Sequence, residues 1–165
     1  MQQKADGMNY APKGKAQAVC GKGEFPVAVI GLDHGHIFGM GNGLIEAGAD
    51  IEMVYDVDPE KVKKFIEAFP QAKPARSREE ILESSRIKLV ASAIVPDQRG
   101  DLGLTVMDHG KDYFTDKPPF TTFKQIDAAR KKTAETGKKY AVYYSERIHN
   151  EAAVFAPEKK RNCSI

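Results

Sequence analysis

The chain has 165 residues, of which 41% are apolar and 29% are charged, and its formal net charge is +2 at pH 7. This composition is typical of one globular domain of ordinary size. Lysines and arginines are dispersed among acids, which gives no reason to expect nucleic-acid binding. No apolar stretch reaches the ~20 residues of a membrane helix, and the N-terminus lacks the apolar core of a secretion signal. A cytoplasmic protein with two free thiols, Cys20 and Cys163, is the simplest interpretation.

Three regions follow from the distribution of apolar residues. Residues 1–25 contain few large apolar side chains, so we expect an N-terminal extension that is mobile or wraps the surface. Residues 26–145 alternate predicted strands with predicted helices, which is typical of an α/β protein with an open, doubly wound parallel sheet of about six strands. In residues 146–165 a helix over 146–155 is expected to be a linker, followed by the truncated start of a second domain.

The most informative segment is residues 26–58, PVAVIGLDHGHIFGMGNGLIEAGADIEMVYDVD. Residues 27–30 are continuously apolar, as a parallel strand covered on both faces must be. Gly31 follows at a sharp turn into a helix, and a second apolar run over 51–55 ends at Asp56. This βαβ order is that of a dinucleotide-binding unit. An acid at the position of Asp56 can accept hydrogen bonds from a ribose diol, which favours NAD over its 2′-phosphorylated relative.

The glycine fingerprint of such a unit is incomplete here. Counted from Gly31, the second and third glycine positions hold Asp33 and His36. A turn into a helix still offers backbone N–H groups and a positive dipole to a pyrophosphate. Asp33 can cap that helix, but its charge would also repel a pyrophosphate. Further glycines in the helix, at 35, 39, 41 and 43, lower its intrinsic propensity, which we attribute to close packing of the helix on the sheet.

The remaining elements carry clear start and stop signals. Asp58 and Pro59 predict the beginning of a helix, and Ser77 with Glu80 predicts a capping box for a short helix through 84. An apolar strand is predicted over 87–94, a helix over 101–109 and a short strand over 112–115. A capping box at Thr122 predicts a helix to 136 that ends at glycine, and the last strand is predicted over 140–144.

Two histidines, His34 and His36, stand beside Asp33 at the first turn. Imidazoles and a carboxylate are good zinc ligands. The spacing His-x-His is common by chance, however, and the sequence shows no third ligand cluster. We therefore predict no metal site, and we expect these side chains to line the cofactor or substrate mouth.

Asp116, Lys117 and Pro118 follow a predicted strand, at the edge of the sheet where ligands bind in such folds. Pro118 and the proline after it restrict the backbone, so the turn presents Lys117 in a fixed direction. A lysine there can hydrogen-bond a substrate oxygen or a nicotinamide ribose and stabilise developing negative charge. The alternative is a surface lysine whose side chain pairs with Asp116.

Taken together, the segments VAVIGLDHGH, IKLVASAIVPDQ, GKDYFTDKPPF and YAVYYSERIH resemble the N-terminal domain of the Gfo/Idh/MocA oxidoreductase family over residues 26–155. The resemblance implies a Rossmann fold and an NAD(P)-linked hydride transfer on a sugar, polyol or related hydroxyl or carbonyl. It implies that Gly31 begins the pyrophosphate turn and that Asp56 binds the adenosine ribose. Pro96 and Asp97 would lie beside the nicotinamide half, and Lys117 would be the catalytic residue at the junction of substrate and cofactor.

The chain departs from the family pattern at the fingerprint positions, at Asp116, where the family has glutamate, and in its length. Family members continue into a second α/β domain that supplies most substrate contacts and the usual oligomer interface. Two hypotheses therefore remain. The chain is the cofactor domain of an NAD-dependent oxidoreductase, with a small-molecule substrate and NADP less favoured; or it is a non-catalytic Rossmann module with weak or no dinucleotide binding. We expect the isolated chain to be inactive, and a homo-oligomer stays open.

Overall fold

The computed structural model describes residues 18–144. They form one six-stranded sheet in which every neighbouring pair is parallel, in the order β3-β2-β1-β4-β5-β6. Its strands are β1 Pro26–Ile30, β2 Asp50–Tyr55, β3 Lys73–Pro74, β4 Leu89–Ser92, β5 Asp112–Asp116 and β6 Tyr140–Tyr143. Its helices are α1 His36–Glu46, α2 Pro59–Ala68, α3 Arg78–Glu83, α4 Pro96–Asp108 and α5 Phe123–Thr136. The predicted doubly wound Rossmann fold is therefore confirmed.

The core lies on both faces of the sheet because successive residues of β1 point to opposite sides. Val27 and Val29 join a buried cluster with residues of α1 and α2, whereas Ala28 and Ile30 join a second cluster with residues of α3 and α4. All five residues of β1 are buried, which explains their continuous apolar run. The order of the strands reverses between β1 and β4, so the carboxyl ends of β1, β2, β4 and β5 meet around one crevice.

Several helix ends form as their residues dictate. The Asp58 side chain accepts a hydrogen bond from Glu60 N–H at the start of α2. Thr122 and Gln125 form the predicted capping box of α5, and Gly137 ends this helix with φ of +67°. The box at α3 forms only in part. Ser77 Oγ accepts the Glu80 N–H, but the Glu80 carboxylate accepts an N–H from Arg76.

Two elements differ from the prediction, and a third was not predicted. Strand β4 is shorter than the predicted 87–94, and α4 begins at Pro96, five residues before the predicted start at 101. Pro96 fits the first turn of a helix because its missing N–H has no intrahelical partner there. Strand β3 escapes prediction because it is only two residues long, one of them a proline.

One glycine of α1, Gly41, lets this helix pack against α2. A Cβ on Gly41 would lie 2.7 Å from Cζ of Phe69, at the end of α2, so this glycine lets α1 and α2 approach. A Cβ on Gly43 would meet nothing within 4 Å. We expected the glycines of this helix to allow close packing on the sheet, but Gly41 allows close packing on α2. None of the helices in residues 18–144 is long and apolar enough to cross a membrane.

The end of the predicted N-terminal extension contacts the domain. Val19 N–H donates to the Ala47 carbonyl at 2.8 Å, the Cys20 thiol lies 3.4 Å from the same oxygen, and Phe25 packs on the core. Residues 1–17 and 145–165 are outside the described part, and with them the predicted linker helix over 146–155 and the start of a second domain.

Candidate functional site

The turn between β1 and α1 requires glycine at its first position. Gly31 has φ of +83°, and a Cβ on it would lie 2.4 Å from Cγ2 of Ile94. Its N–H donates to the Tyr55 carbonyl at 2.9 Å, and its carbonyl accepts the Ala93 N–H at 3.2 Å. The turn is thereby held between the ends of β2 and β4, at the crevice where the strand order reverses.

Asp56 lies at the carboxyl end of β2, as predicted, and reaches back to this turn. One carboxylate oxygen accepts the Leu32 N–H at 2.7 Å, and the other accepts the Asp58 N–H at 2.9 Å. Each oxygen has two lone-pair directions, so each keeps one for a further donor such as a ribose hydroxyl. Two backbone bonds therefore fix the carboxylate without exhausting its capacity to bind a ligand.

A cavity of about 920 Å³ opens beside Asp56. Its lining is largely apolar and comes from the ends of β2 and β3 and from one side of α2. The volume is within the range of small-molecule and cofactor sites. Side chains that line it include Tyr55, Val57, Val62, Ile66, Pro74 and Arg76. An aromatic or purine ring would fit between such walls, with its sugar at Asp56.

The start of α1 is suited to an anion. Within residues 18–144 the N–H groups of Asp33 and Gly35 have no acceptor in hydrogen-bond contact. Gly35 is exposed, and a Cβ on it would meet nothing within 4 Å. Unpaired N–H groups at a helix N-terminus, together with the helix dipole, attract phosphate. The backbone of this turn therefore fits a pyrophosphate despite the incomplete fingerprint.

The Asp33 side chain does not cap α1; it binds two other elements. Its carboxylate accepts the N–H of Val95, at the N-cap of α4, at 3.2 Å. It also pairs with the Lys61 ammonium of α2 at 2.5 Å. The hydrogen bond that Lys61 donates to Asp33 raises the pKa of Lys61, so this cation stays charged beside the turn. The repulsion that Asp33 would exert on a pyrophosphate is thereby partly neutralised.

Asp116, at the end of β5, is the most densely contacted acid of the crevice. Its side chain is 1% exposed, and it accepts the Lys117 N–H at 2.8 Å and the Arg99 guanidinium at 3.2 Å. Nδ1 of His36 lies 2.9 Å from one carboxylate oxygen, and Nδ1 of His34 lies 3.4 Å from the other. Residues that the sequence separates by 80 positions are thus in direct contact.

Arg99 is the residue of the crevice that sequence reasoning missed. It is 2% exposed and donates to the carbonyls of Ile94 and Pro118, at 2.6 and 3.2 Å, as well as to Asp116. One guanidinium therefore links the loop after β4 to the turn after β5. A weak signal existed, because an arginine at 99 shares a helical face with the apolar residues at 102 and 106.

Lys117 is partly exposed at the mouth of the crevice. Its side chain makes no ion pair with any described carboxylate, so the alternative pairing with Asp116 does not form; only its backbone N–H binds that acid. The peptide bond to Pro118 is cis, and Pro118 is exposed. Pro96 and Asp97 lie exposed in the first turn of α4 rather than in a loop, and the Asp97 carbonyl accepts a bond from the Gln125 amide.

The family model for oxidoreductases with an NAD-binding Rossmann fold, Gfo/Idh/MocA, matches residues 18–144. The chain belongs to this family. The match begins eight residues before the predicted boundary at 26 and includes the segment that packs on α1. No curated protein matches the chain. Gfo/Idh/MocA proteins bind nicotinamide dinucleotides, and the crevice described above is where this fold binds them.

One solved structure is similar in sequence to this chain, and others share its fold. A protein from Erwinia carotovora atroseptica SCRI1043, named an oxidoreductase without a stated substrate, is 44% identical with a TM-score of 0.76, over 81% of this chain and 40% of its own. Biliverdin reductase from Synechocystis sp. PCC 6803, solved with biliverdin and NADP⁺, is 18% identical with a TM-score of 0.61, over 71% of this chain and 37% of its own. GenD2 from gentamicin A biosynthesis, solved with NAD, is 17% identical with a TM-score of 0.67, over 80% of this chain and 36% of its own. The chain thus spans 36–40% of the length of these relatives, and the last two show the fold alone.

Proposed function

We propose that the chain is the dinucleotide-binding part of an NAD-linked oxidoreductase that acts on a sugar, polyol or related hydroxyl or carbonyl compound. The observation that carries the proposal is the arrangement at the crevice. A fixed carboxylate, Asp56, adjoins a cavity of about 920 Å³. Next to it lies a helix start with N–H groups that have no acceptor among residues 18–144. These are the groups that a ribose, a purine ring and a pyrophosphate require.

The residues of this chain would divide the work as follows. Asp56 would accept the adenosine ribose hydroxyls, and the N–H groups of Asp33 and Gly35 would bind the pyrophosphate. The dinucleotide supplies the hydride donor or acceptor when it is bound. Lys117 would donate a hydrogen bond to the reacting oxygen of the substrate and stabilise its developing charge.

The other residues that we assign to the cofactor site would border the dinucleotide or hold the backbone around Lys117. His34 and His36 would line the mouth between the two halves of the dinucleotide, and Pro96 with Asp97 would border the nicotinamide half. Asp116 and Pro118 would hold the backbone on either side of the catalytic lysine, because both are bound by the same guanidinium.

NAD is the preferred cofactor in this proposal. A 2′-phosphate would meet the negative charge of Asp56 at close range. The cavity also contains a cation, Arg76, which would attract a phosphate, but its guanidinium is engaged with both carboxylate oxygens of Glu80 at 3.1 and 3.3 Å. The acid at the ribose position therefore outweighs the arginine.

Calorimetric titration of the chain with NAD⁺ and NADP⁺ tests this preference. We expect tighter binding of NAD⁺, and we expect Asp56→Ala to weaken NAD⁺ binding and to reduce the discrimination between the two. Asp127→Ala, which removes an exposed acid of α5 outside the crevice, is the matched control and should change neither affinity. Equal binding of both cofactors by the unaltered chain would contradict the role of Asp56.

The second candidate is a Rossmann module that does not catalyse and binds dinucleotides weakly. The observation that favours it is the Asp33 carboxylate beside the pyrophosphate position. We expect no turnover of polyols or sugars from Lys117 alone, because one lysine cannot orient a substrate, exclude water and transfer protons together. Turnover that is lost in Lys117→Ala would contradict this expectation. Light scattering over a range of concentrations tests whether the chain forms the homo-oligomer that the sequence left open.

A further inference from the structure

Three potential metal ligands converge where the start of α1 meets the end of β5. His34, His36 and Asp116 each offer one ligand atom, and these atoms lie within 4.8 Å of one another. The sequence placed the two histidines beside Asp33 and predicted no metal site, because the carboxylate that completes the group, Asp116, is 80 residues away from His36. The third ligand comes from the fold.

The lone pairs of Asp116 leave room for a cation between the acid and the imidazoles. A carboxylate has about four lone-pair directions, two on each oxygen. The Lys117 N–H takes one on the first oxygen, and Arg99 takes one on the second. Of the two that remain, one lies within hydrogen-bond distance of Nδ1 of His36, at 2.9 Å, and the other faces Nδ1 of His34 at 3.4 Å. The Lys117 N–H and the Arg99 guanidinium therefore fix the carboxylate and leave one lone-pair direction on each oxygen toward the two histidines.

His34 presents a lone pair, not a proton, to this acid. Its Nδ1 accepts the His36 backbone N–H at 3.2 Å, which requires an unprotonated nitrogen. The same nitrogen lies 3.4 Å from an oxygen of Asp116. Two acceptors therefore face each other across a gap with no hydrogen between them. A cation in the gap turns this unfavourable contact into two bonds, at the cost of the long hydrogen bond from the His36 amide and of the hydrogen bond between Nδ1 of His36 and Asp116.

The spacing is close to that of a small transition-metal ion. Bonds of about 2.0–2.1 Å at tetrahedral angles place neighbouring ligand atoms about 3.3 Å apart. The distance of 3.4 Å between His34 and Asp116 matches this spacing. The distance of 2.9 Å between His36 and Asp116 is that of a hydrogen bond and has to lengthen when an ion binds. Two imidazoles and one carboxylate suit Zn²⁺ and related ions, whereas Mg²⁺ and Ca²⁺ prefer oxygen ligands only. His34 is 54% exposed and His36 is 21% exposed, so an ion can reach the group from solvent.

We propose that His34, His36 and Asp116 bind a divalent transition-metal ion, with Zn²⁺ as the ion that best fits the donors. The ion joins the turn after β1 to the end of β5. Arg99 and the Lys117 N–H act as outer partners that orient the ligating carboxylate, as such partners do in metal sites generally. This inference goes beyond the proposed function and does not depend on dinucleotide binding.

Titration of the metal-free chain with ZnCl₂, without any dinucleotide, tests the site. We expect one zinc ion per chain with a dissociation constant in the micromolar range or tighter, and a loss of affinity of at least ~10-fold in both His34→Ala and His36→Ala. His109→Ala is the matched control, because this histidine lies at the end of α4 and contacts the Thr105 carbonyl. It should bind zinc as the unaltered chain does.

Cobalt provides a second measurement on the same variants. Co²⁺ in a four-coordinate nitrogen and oxygen site should give visible absorption in the unaltered chain and in His109→Ala, and not in His34→Ala or His36→Ala. Circular dichroism shows whether each variant is folded, and the exposed position of His34 makes His34→Ala the safer of the two. No zinc binding, or binding that survives both substitutions because thiols elsewhere hold the ion, would overturn the proposal. Either result leaves the outcome of the NAD⁺ titration unaffected.

Discussion

Gly31 is the position where one methyl group should disturb both the fold and the site. In Gly31→Ala the new Cβ would occupy a backbone conformation with φ of +83° and would lie 2.4 Å from Cγ2 and 2.8 Å from Cβ of Ile94. The conformation costs an L-residue about 1–2 kcal/mol. The overlap costs a further ~1–3 kcal/mol, because Ile94 belongs to a packed cluster and cannot move freely. We therefore expect the free energy of unfolding to fall by about 2–5 kcal/mol.

Urea denaturation followed by circular dichroism measures this loss. Gly43→Ala is the matched control, since Gly43 is exposed in the same turn-helix unit and a Cβ there meets nothing within 4 Å. It should raise the free energy of unfolding by ~0.8–1 kcal/mol, because alanine is the better helix former. A loss below about 1 kcal/mol in Gly31→Ala would show that the turn relaxes without strain, and the argument from Ile94 would be wrong.

Three further predictions concern charges and hydroxyl groups. Lys61→Ala should weaken NAD⁺ binding because it leaves Asp33 without its cation beside the pyrophosphate position, and adding Asp33→Gly should restore the affinity. Calorimetry of the single and double variants measures this coupling, and purely additive changes in binding free energy would contradict it. Arg99→Met should lower the free energy of unfolding by about 3–5 kcal/mol, since Asp116 would become a buried charge without a cation. If urea denaturation shows that this free energy falls by less than about 1 kcal/mol, the argument from the buried pair is wrong. Burial raises the pKa of Tyr113 to about 12, so between pH 10 and 12 the unfolded chain loses this proton first and stability should fall by about 1.4 kcal/mol per pH unit. Tyr113→Phe should remove that part of the alkaline loss, and parallel pH profiles of the two proteins would refute the assignment.

The parts of the fold that sequence reasoning predicted are those with local causes. A continuous apolar run must be buried on both faces, which identified β1, and an acid before proline starts a helix, which identified α2. Asp56 was located because it follows such a run directly. Strand β3 has no comparable signal, because two residues show no periodicity and a proline argues against a strand. The predicted start of α4, residue 101, was wrong because the sequence analysis did not place Pro96 in the first turn of a helix.

The site was predictable residue by residue but not as an assembly. Lys117 and the histidines could be placed at the edge of the sheet from their neighbours in sequence. Their relation to Asp116 could not, because a pairing across 80 residues is created by the order of the strands. The burial of Arg99 also depends on distant contacts, since its three acceptors come from the loop after β4, the last residue of β5 and the turn after β5. Such contacts depend on tertiary structure, which periodicity and capping signals do not describe.

The short strand β3 also decides how this sheet meets other chains. An edge strand normally offers a row of N–H and C=O groups onto which a second molecule can add its own strand. Here that edge consists of Lys73 and Pro74, both exposed. Pro74 has no N–H to donate, and a lysine ammonium would have to lose its water next to an incoming strand. Growth of the sheet from this side into a continuous intermolecular ladder is therefore blocked by two side chains.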